Sequence, residues 1–142
     1  MHEQAIRSTS RAIIVDHDAA TTELIAELVT SVGIVPLSCS ACALSVALIE
    51  QAQAHLLILE FGLGDPSPTL ALLGELRRNA PTRRLPVIVN STDDRLLERL
   101  AEPLRDLGCI ALAKPFELDD FFSSISLCLD IVAASCNGSP AE

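Results

Sequence analysis

Five short aliphatic runs, at residues 12–15, 34–37, 56–59, 87–89 and 110–113, alternate with longer segments of helical period. Runs so brief and so uniformly apolar suit strands covered on both faces, and their alternation with helices suits an open parallel sheet. The pattern predicts an α/β fold, a doubly wound sheet of five parallel strands with five helices. At 142 residues the chain has the length of one compact domain with a substantial core.

Residues 20–32 place Leu24, Ile25, Leu28, Val29 and Val32 on one helical face, with Asp18 as cap and Gly33 as terminator. Residues 42–53 predict a second helix. A third runs over 67–79 with Ser67 as cap and Pro68 in its first turn. The fourth, from about 91–93 to 107, contains Pro103, which should kink or divide it. The fifth covers about 117–133, where Leu118, Phe121, Phe122, Ile125 and Leu129 form the apolar side. Residues 1–10 read as a frayed segment and 135–142 as a flexible tail, leaving one domain at 11–134.

A net charge of −9 and a pI near 4.7 disfavour contact with phosphate backbones and anionic membrane surfaces. The absence of tryptophan and tyrosine removes the usual platforms for base stacking. Protein partners are therefore expected. No apolar run reaches the roughly 18 residues of a membrane span, and the first residues lack a secretory pattern, which predicts a cytoplasmic protein. Five cysteines, an odd number scattered through the chain, fit reduced thiols.

In parallel sheets ligands bind beyond the carboxyl ends of the strands. The first predicted strand ends in Val15-Asp16-His17-Asp18 and the third in Leu59-Glu60. The fourth ends in Asn90-Ser91-Thr92 and the fifth in Ala113-Lys114-Pro115-Phe116. Acids, a hydroxyl and a lysine thus gather on one rim.

On these residues, and on Lys114-Pro115-Phe116 above all, the chain resembles the response-regulator receiver family over about residues 11–134. The resemblance implies strand order 2-1-3-4-5 and a pocket in which paired acids hold Mg²⁺. In that pocket an aspartate accepts a phosphoryl group from a histidine kinase, and a hydroxyl and a lysine preceding a cis-proline contact that group. Asp16 matches the first acid, Ser91 the hydroxyl, and Lys114 with Pro115 the lysine and its proline. Glu60 stands at the phosphoacceptor, His17 at the second acid, Ala111 at the switch aromatic and Gly64 at a proline. The turn from Gly108 to Lys114 is one residue short.

These departures weaken phosphoryl transfer, which needs a metal to neutralise charge and a carboxylate placed in line. Imidazole is a poor substitute for a carboxylate toward Mg²⁺, so Mg²⁺ binding is expected to be weak or absent, and no cofactor is expected. Glutamate carries its carboxylate roughly 1 to 1.5 Å further out, into the phosphoryl volume. There it can accept hydrogen bonds from Lys114 and Ser91, imitating part of a phosphorylated site. The expected function is a stand-alone, atypical receiver without turnover. It would act as a phosphorylation-independent interaction module in two-component signalling, with a histidine kinase, another regulator or a second copy of itself as partner.

Blander and rival readings stand beside this one. Glu60 with Lys114 also makes sense as a structural ion pair. His17 would complete a transition-metal site with Asp16 and Glu60, although a capping or exposed histidine is the commoner case. Asp18 and Asp65 suit cap and turn geometry. The chain would otherwise be a phosphoacceptor using an unusual residue with Mg²⁺. Alternatively, Cys39 and Cys42, a CxxC at a strand-to-helix junction, would make it a thiol-disulfide protein.

Overall fold

The computed structural model describes residues 10–61 and 64–138. Five strands, β1 (Arg11–Val15), β2 (Val35–Ser38), β3 (Leu56–Glu60), β4 (Val87–Ser91) and β5 (Cys109–Ala113), form one sheet in the order β2-β1-β3-β4-β5. Every neighbouring pair is parallel. The helices are α1 (Ala19–Ser31), α2 (Val46–Ala52), α3 (Ser67–Arg78), α4 (Asp94–Arg99), α5 (Ala101–Asp106) and α6 (Leu118–Gly138). All five aliphatic runs are strands, displaced by two residues at most.

Alternation along the strands sorts the core into two layers. Ile13, Val15, Leu57, Leu59, Val87 and Val89 pack against Ile49 of α2, Leu73 and Leu76 of α3, and Leu96, Leu100 and Leu104 around α4 and α5. Ala12, Ile14, Leu56, Ile58 and Ile88 pack on the other face against Ile25 and Val29 of α1 and Phe121, Ile125 and Cys128 of α6. The apolar stripes of these two helices are narrower than predicted. Leu24, Val32 and Leu118 are exposed, because each helix turns only its central line toward the sheet.

Four helix boundaries differ from the sequence reading, each for a local reason. The segment predicted as one helix over 42–53 holds two serine caps. Ser40 accepts from the Ala43 N–H and closes a 3-10 turn at Ala41–Ala43, then Ser45 accepts from the Leu48 N–H and starts α2. Ser67 does not cap α3. Its N–H donates to Asp65 Oδ1 at 3.0 Å, Pro66 takes the cap position, and the helix begins on Ser67 itself.

The fourth predicted helix is divided at Leu100, so six α-helices form among the described residues instead of five. Pro103 falls in the first turn of α5, where its missing N–H costs nothing. Finally, α6 continues to Gly138, so backbone expected in the tail is helical; Ala133 to Asn137 contains no breaker and the first glycine of the helix is its last residue. Residues 1–9, read as frayed, and 139–142 of the tail lie outside the described residues. No helix among the described residues is long and apolar enough to cross a membrane.

Candidate functional site

Three strands carry a charged side chain to one rim of the sheet. Asp16 follows β1, Glu60 ends β3 and Lys114 follows β5. The ladder between β4 and β5 fixes the lysine, whose N–H donates to the Ser91 carbonyl at 2.8 Å, and the Lys114–Pro115 peptide is cis. Lys114 Nζ donates to Glu60 Oε2 at 2.8 Å and to Asp16 Oδ2 at 3.0 Å. The side chains of Lys114, Asp16 and Glu60 keep only 10%, 1% and 5% of their exposure, so their charges meet largely out of water.

His17 lies over the outer side of this group, 72% exposed, with Nδ1 2.5 Å from Glu60 Oε1. The same oxygen accepts the His17 backbone N–H at 3.1 Å. Both oxygens of Glu60 are thereby engaged. Burial pushes the Glu60 carboxyl up, but hydrogen bonds from Lys114 and His17 outweigh it and hold the group at about 2. Burial likewise lowers Lys114, and its hydrogen bonds to Glu60 and Asp16 outweigh that and raise it. The hydrogen bond to Glu60 raises His17.

The other predicted site residues fall in different places. Asp18 stays outside the ion pairs and caps α1, accepting from the Thr21 N–H and hydroxyl, which lower its carboxyl. Ser91, expected to reach Glu60, does not: it is the last residue of β4, buried, and its Oγ accepts the Asp93 N–H at 3.0 Å. Ser91 pairs with Ala113 in the ladder of β4 and β5. Ala111 is exposed on β5, opposite Val89 in the ladder. His17 is not a helix cap; it is an exposed partner of Glu60.

A cavity of about 440 Å³ opens at this rim, lined by His17, Asp18, Glu60, Thr92, Lys114 and Phe116 among others. Thr92 and Phe116 enter it without having been singled out as site residues, although both directly follow strand-end positions that were. Phe116 is held there by stacking on Phe121, with ring centroids 5.2 Å apart. A larger cavity, about 540 Å³, lies at the opposite ends of the strands between Ile49 and Pro86. Ligands of doubly wound sheets bind at the carboxyl ends, so the smaller cavity carries the functional reading.

Nothing among the described cysteines favours thiol exchange. Cys39, Cys42, Cys109 and Cys128 are all free, and burial pushes the Cys39 thiol up, away from the low value a redox thiol needs.

No family model matches the sequence, and no curated protein matches it. The backbone nevertheless has close counterparts among solved structures. The chemotaxis protein CheY4 of Vibrio cholerae superposes with a TM-score of 0.68 at 12% identity, over 84% of this chain and 98% of that one. A putative response regulator from Chloroflexus aurantiacus gives 0.69 at 20% identity, over 88% and 98%. The chain has the receiver fold of response regulators. NtrX of Brucella abortus shows the same receiver fold at a TM-score of 0.75 and 20% identity, over 94% of this chain and 29% of that much longer one.

The receiver resemblance implies a Mg²⁺ ion, and the donors at this rim do not fit one. Asp16 Oδ2 and Glu60 Oε2 face Lys114, Glu60 Oε1 faces His17, Asp16 Oδ1 accepts the Asp18 N–H at 2.9 Å, and the remaining group offers an imidazole nitrogen. Mg²⁺ demands a near-ideal octahedron of oxygens.

Proposed function

We propose that this receiver fold serves as an atypical, phosphorylation-independent protein-interaction module in two-component signalling, with Mg²⁺ bound weakly or not at all. The carrying observation is the engagement of both Glu60 oxygens, Oε2 by Lys114 and Oε1 by His17. An attacking carboxylate needs a free lone pair directed at phosphorus and enough basicity to use it. Glu60, held at about 2, has little of either. The lysine that would otherwise contact a phosphoryl group is already neutralised by Glu60 and Asp16.

In this reading the site is a fixed contact between strand ends. The partner is a histidine kinase, another regulator or a second copy of the chain, recognised by surface and without turnover. The test is the amide NMR spectrum before and after adding Mg²⁺ with beryllium trifluoride, a phosphoryl analogue. The spectrum is expected to stay unchanged around Glu60, Ser91 and Lys114. Saturable shifts at those three positions would show a working phosphoryl pocket and overturn the proposal.

A further inference from the structure

The cavity at the amino ends of the strands, about 540 Å³, has the size of a small-molecule pocket. It lies between the end of α2 and the 3-10 turn at Ala80–Thr82 that leads toward β4. Its apolar lining includes Ile49, Leu85 and Pro86, and its polar lining includes His55, Arg83 and Arg84. Acids outnumber lysines and arginines 19 to 10 in this chain, yet Arg83 and Arg84, both exposed, take part in no ion pair among the described residues.

His55 adds a fixed donor. Its Nδ1 accepts the Arg11 backbone N–H at 3.1 Å, so the ring proton sits on Nε2, which has no acceptor among the described residues. Burial first, and then the charge of Arg11, lower the pKa of His55, so the ring stays neutral and keeps that tautomer. Arg11 also reaches the lining, with Nη1 3.4 Å from Gln53 Oε1. Glu50 brings a carboxylate to the same lining, where it accepts from Asn79 Nδ2 at 2.6 Å. Arg11, Arg83 and Arg84 against Glu50 leave this end of an acidic molecule positive, and a concave wall focuses such a field on an anion.

We propose that this cavity binds a small phosphate monoester with an apolar body, its phosphate held by Arg83, Arg84 and the His55 Nε2–H and its body by Ile49, Leu85 and Pro86. The head group follows from the donors. Each guanidinium presents a planar fork of N–H groups, and two forks with one imidazole N–H suit the three terminal oxygens of a phosphate better than the two of a carboxylate. The apolar body follows from the aliphatic wall, which a bare inorganic ion would leave uncovered. This cavity shares no lining residue with the one at Glu60, so the site is independent of the function proposed above, and either can fail without the other.

The test follows amide NMR signals of the full chain, with thiols reduced and in phosphate-free buffer, during separate additions of phenyl phosphate, benzoate, inorganic phosphate and phenol. Phenyl phosphate is expected to give saturable shifts centred on residues 49–55 and 82–85. It should bind at least about tenfold more tightly than inorganic phosphate or phenol, each of which makes only part of its contacts. Arg83→Gln and Arg84→Gln should each weaken it at least about fivefold, with an unchanged circular dichroism spectrum because neither side chain holds an ion-pair partner. Arg95→Gln, an exposed position on α4 beyond the opposite end of β4, should leave the affinity unchanged. The absence of saturable shifts would overturn the proposal, as would shifts centred on residues 17, 60 and 114. So would phenol or benzoate binding as tightly as phenyl phosphate, or an Arg95→Gln loss equal to that of the two cavity variants.

Discussion

Lys114 reaches Glu60 across 2.8 Å and so ties the end of β5 to the end of β3 over the intervening strand β4. Neither residue is adjacent to the other in the ladder, so only the side chains make this connection. A charge-assisted hydrogen bond in so dry a place contributes about 1.5–3 kcal/mol, and removing one partner leaves the other charge without compensation.

Lys114→Met should therefore destabilise the chain by roughly 3 kcal/mol, because Asp16 and Glu60 would be left facing each other. Urea denaturation checks this. A loss under about 0.5 kcal/mol, the scale of an exposed pair, would contradict a buried bridge.

Acid stability should report the same contact. Glu60 sits at about 2 when folded, below its ordinary value of 4.5. A group held low contributes stability that is complete above the ordinary value and is lost as pH falls through the folded one. Between about pH 5 and pH 2 the urea midpoint should fall, and Glu60→Gln should flatten that slope. Equal slopes for the two proteins would show that Glu60 is not held low.

His17 should titrate above 6.5, since its hydrogen bond to Glu60 favours the imidazolium. NMR titration of the ring signals gives the value directly. In Glu60→Gln it should return toward 6.5, and an unchanged titration would mean that the contact with Glu60 is not maintained in solution.

The fold was legible because strands buried on both faces leave an unmistakable aliphatic signature, and the cores of β1, β3, β4 and β5 lie where that signature put them. The pairing of Glu60 with Lys114 was legible as well, since strand order and strand ends alone bring them together. Ser91 was not. Hydropathy ends β4 at Val89, whereas the ladder continues through Asn90 and Ser91, both buried. Polar residues that extend a strand are invisible to a reading based on apolar runs. The serine caps at Ser40 and Ser45 were hidden for a similar reason: helical periodicity does not register a two-residue break in the backbone at Leu44 and Ser45.

Asn90 itself carries a prediction. Its Oδ1 is buried without a hydrogen-bond partner, in register with Glu60. Asn90→Val removes an unsatisfied acceptor and suits the strand, so it should stabilise by about 1 kcal/mol. Thermal denaturation checks the sign, and a lower melting temperature would show that Asn90 has a partner in solution.

Glu60, locked by Lys114 and His17, is proposed to remove phosphorylation from this receiver fold. The most direct test is intact mass after incubation with Mg²⁺ and acetyl phosphate, comparing the natural chain with a variant carrying His17→Asp and Glu60→Asp. The natural chain should gain no phosphoryl group and the double variant should gain one. A phosphoryl adduct mapped to Glu60 of the natural chain would show that the glutamate still accepts phosphoryl despite Lys114 and His17.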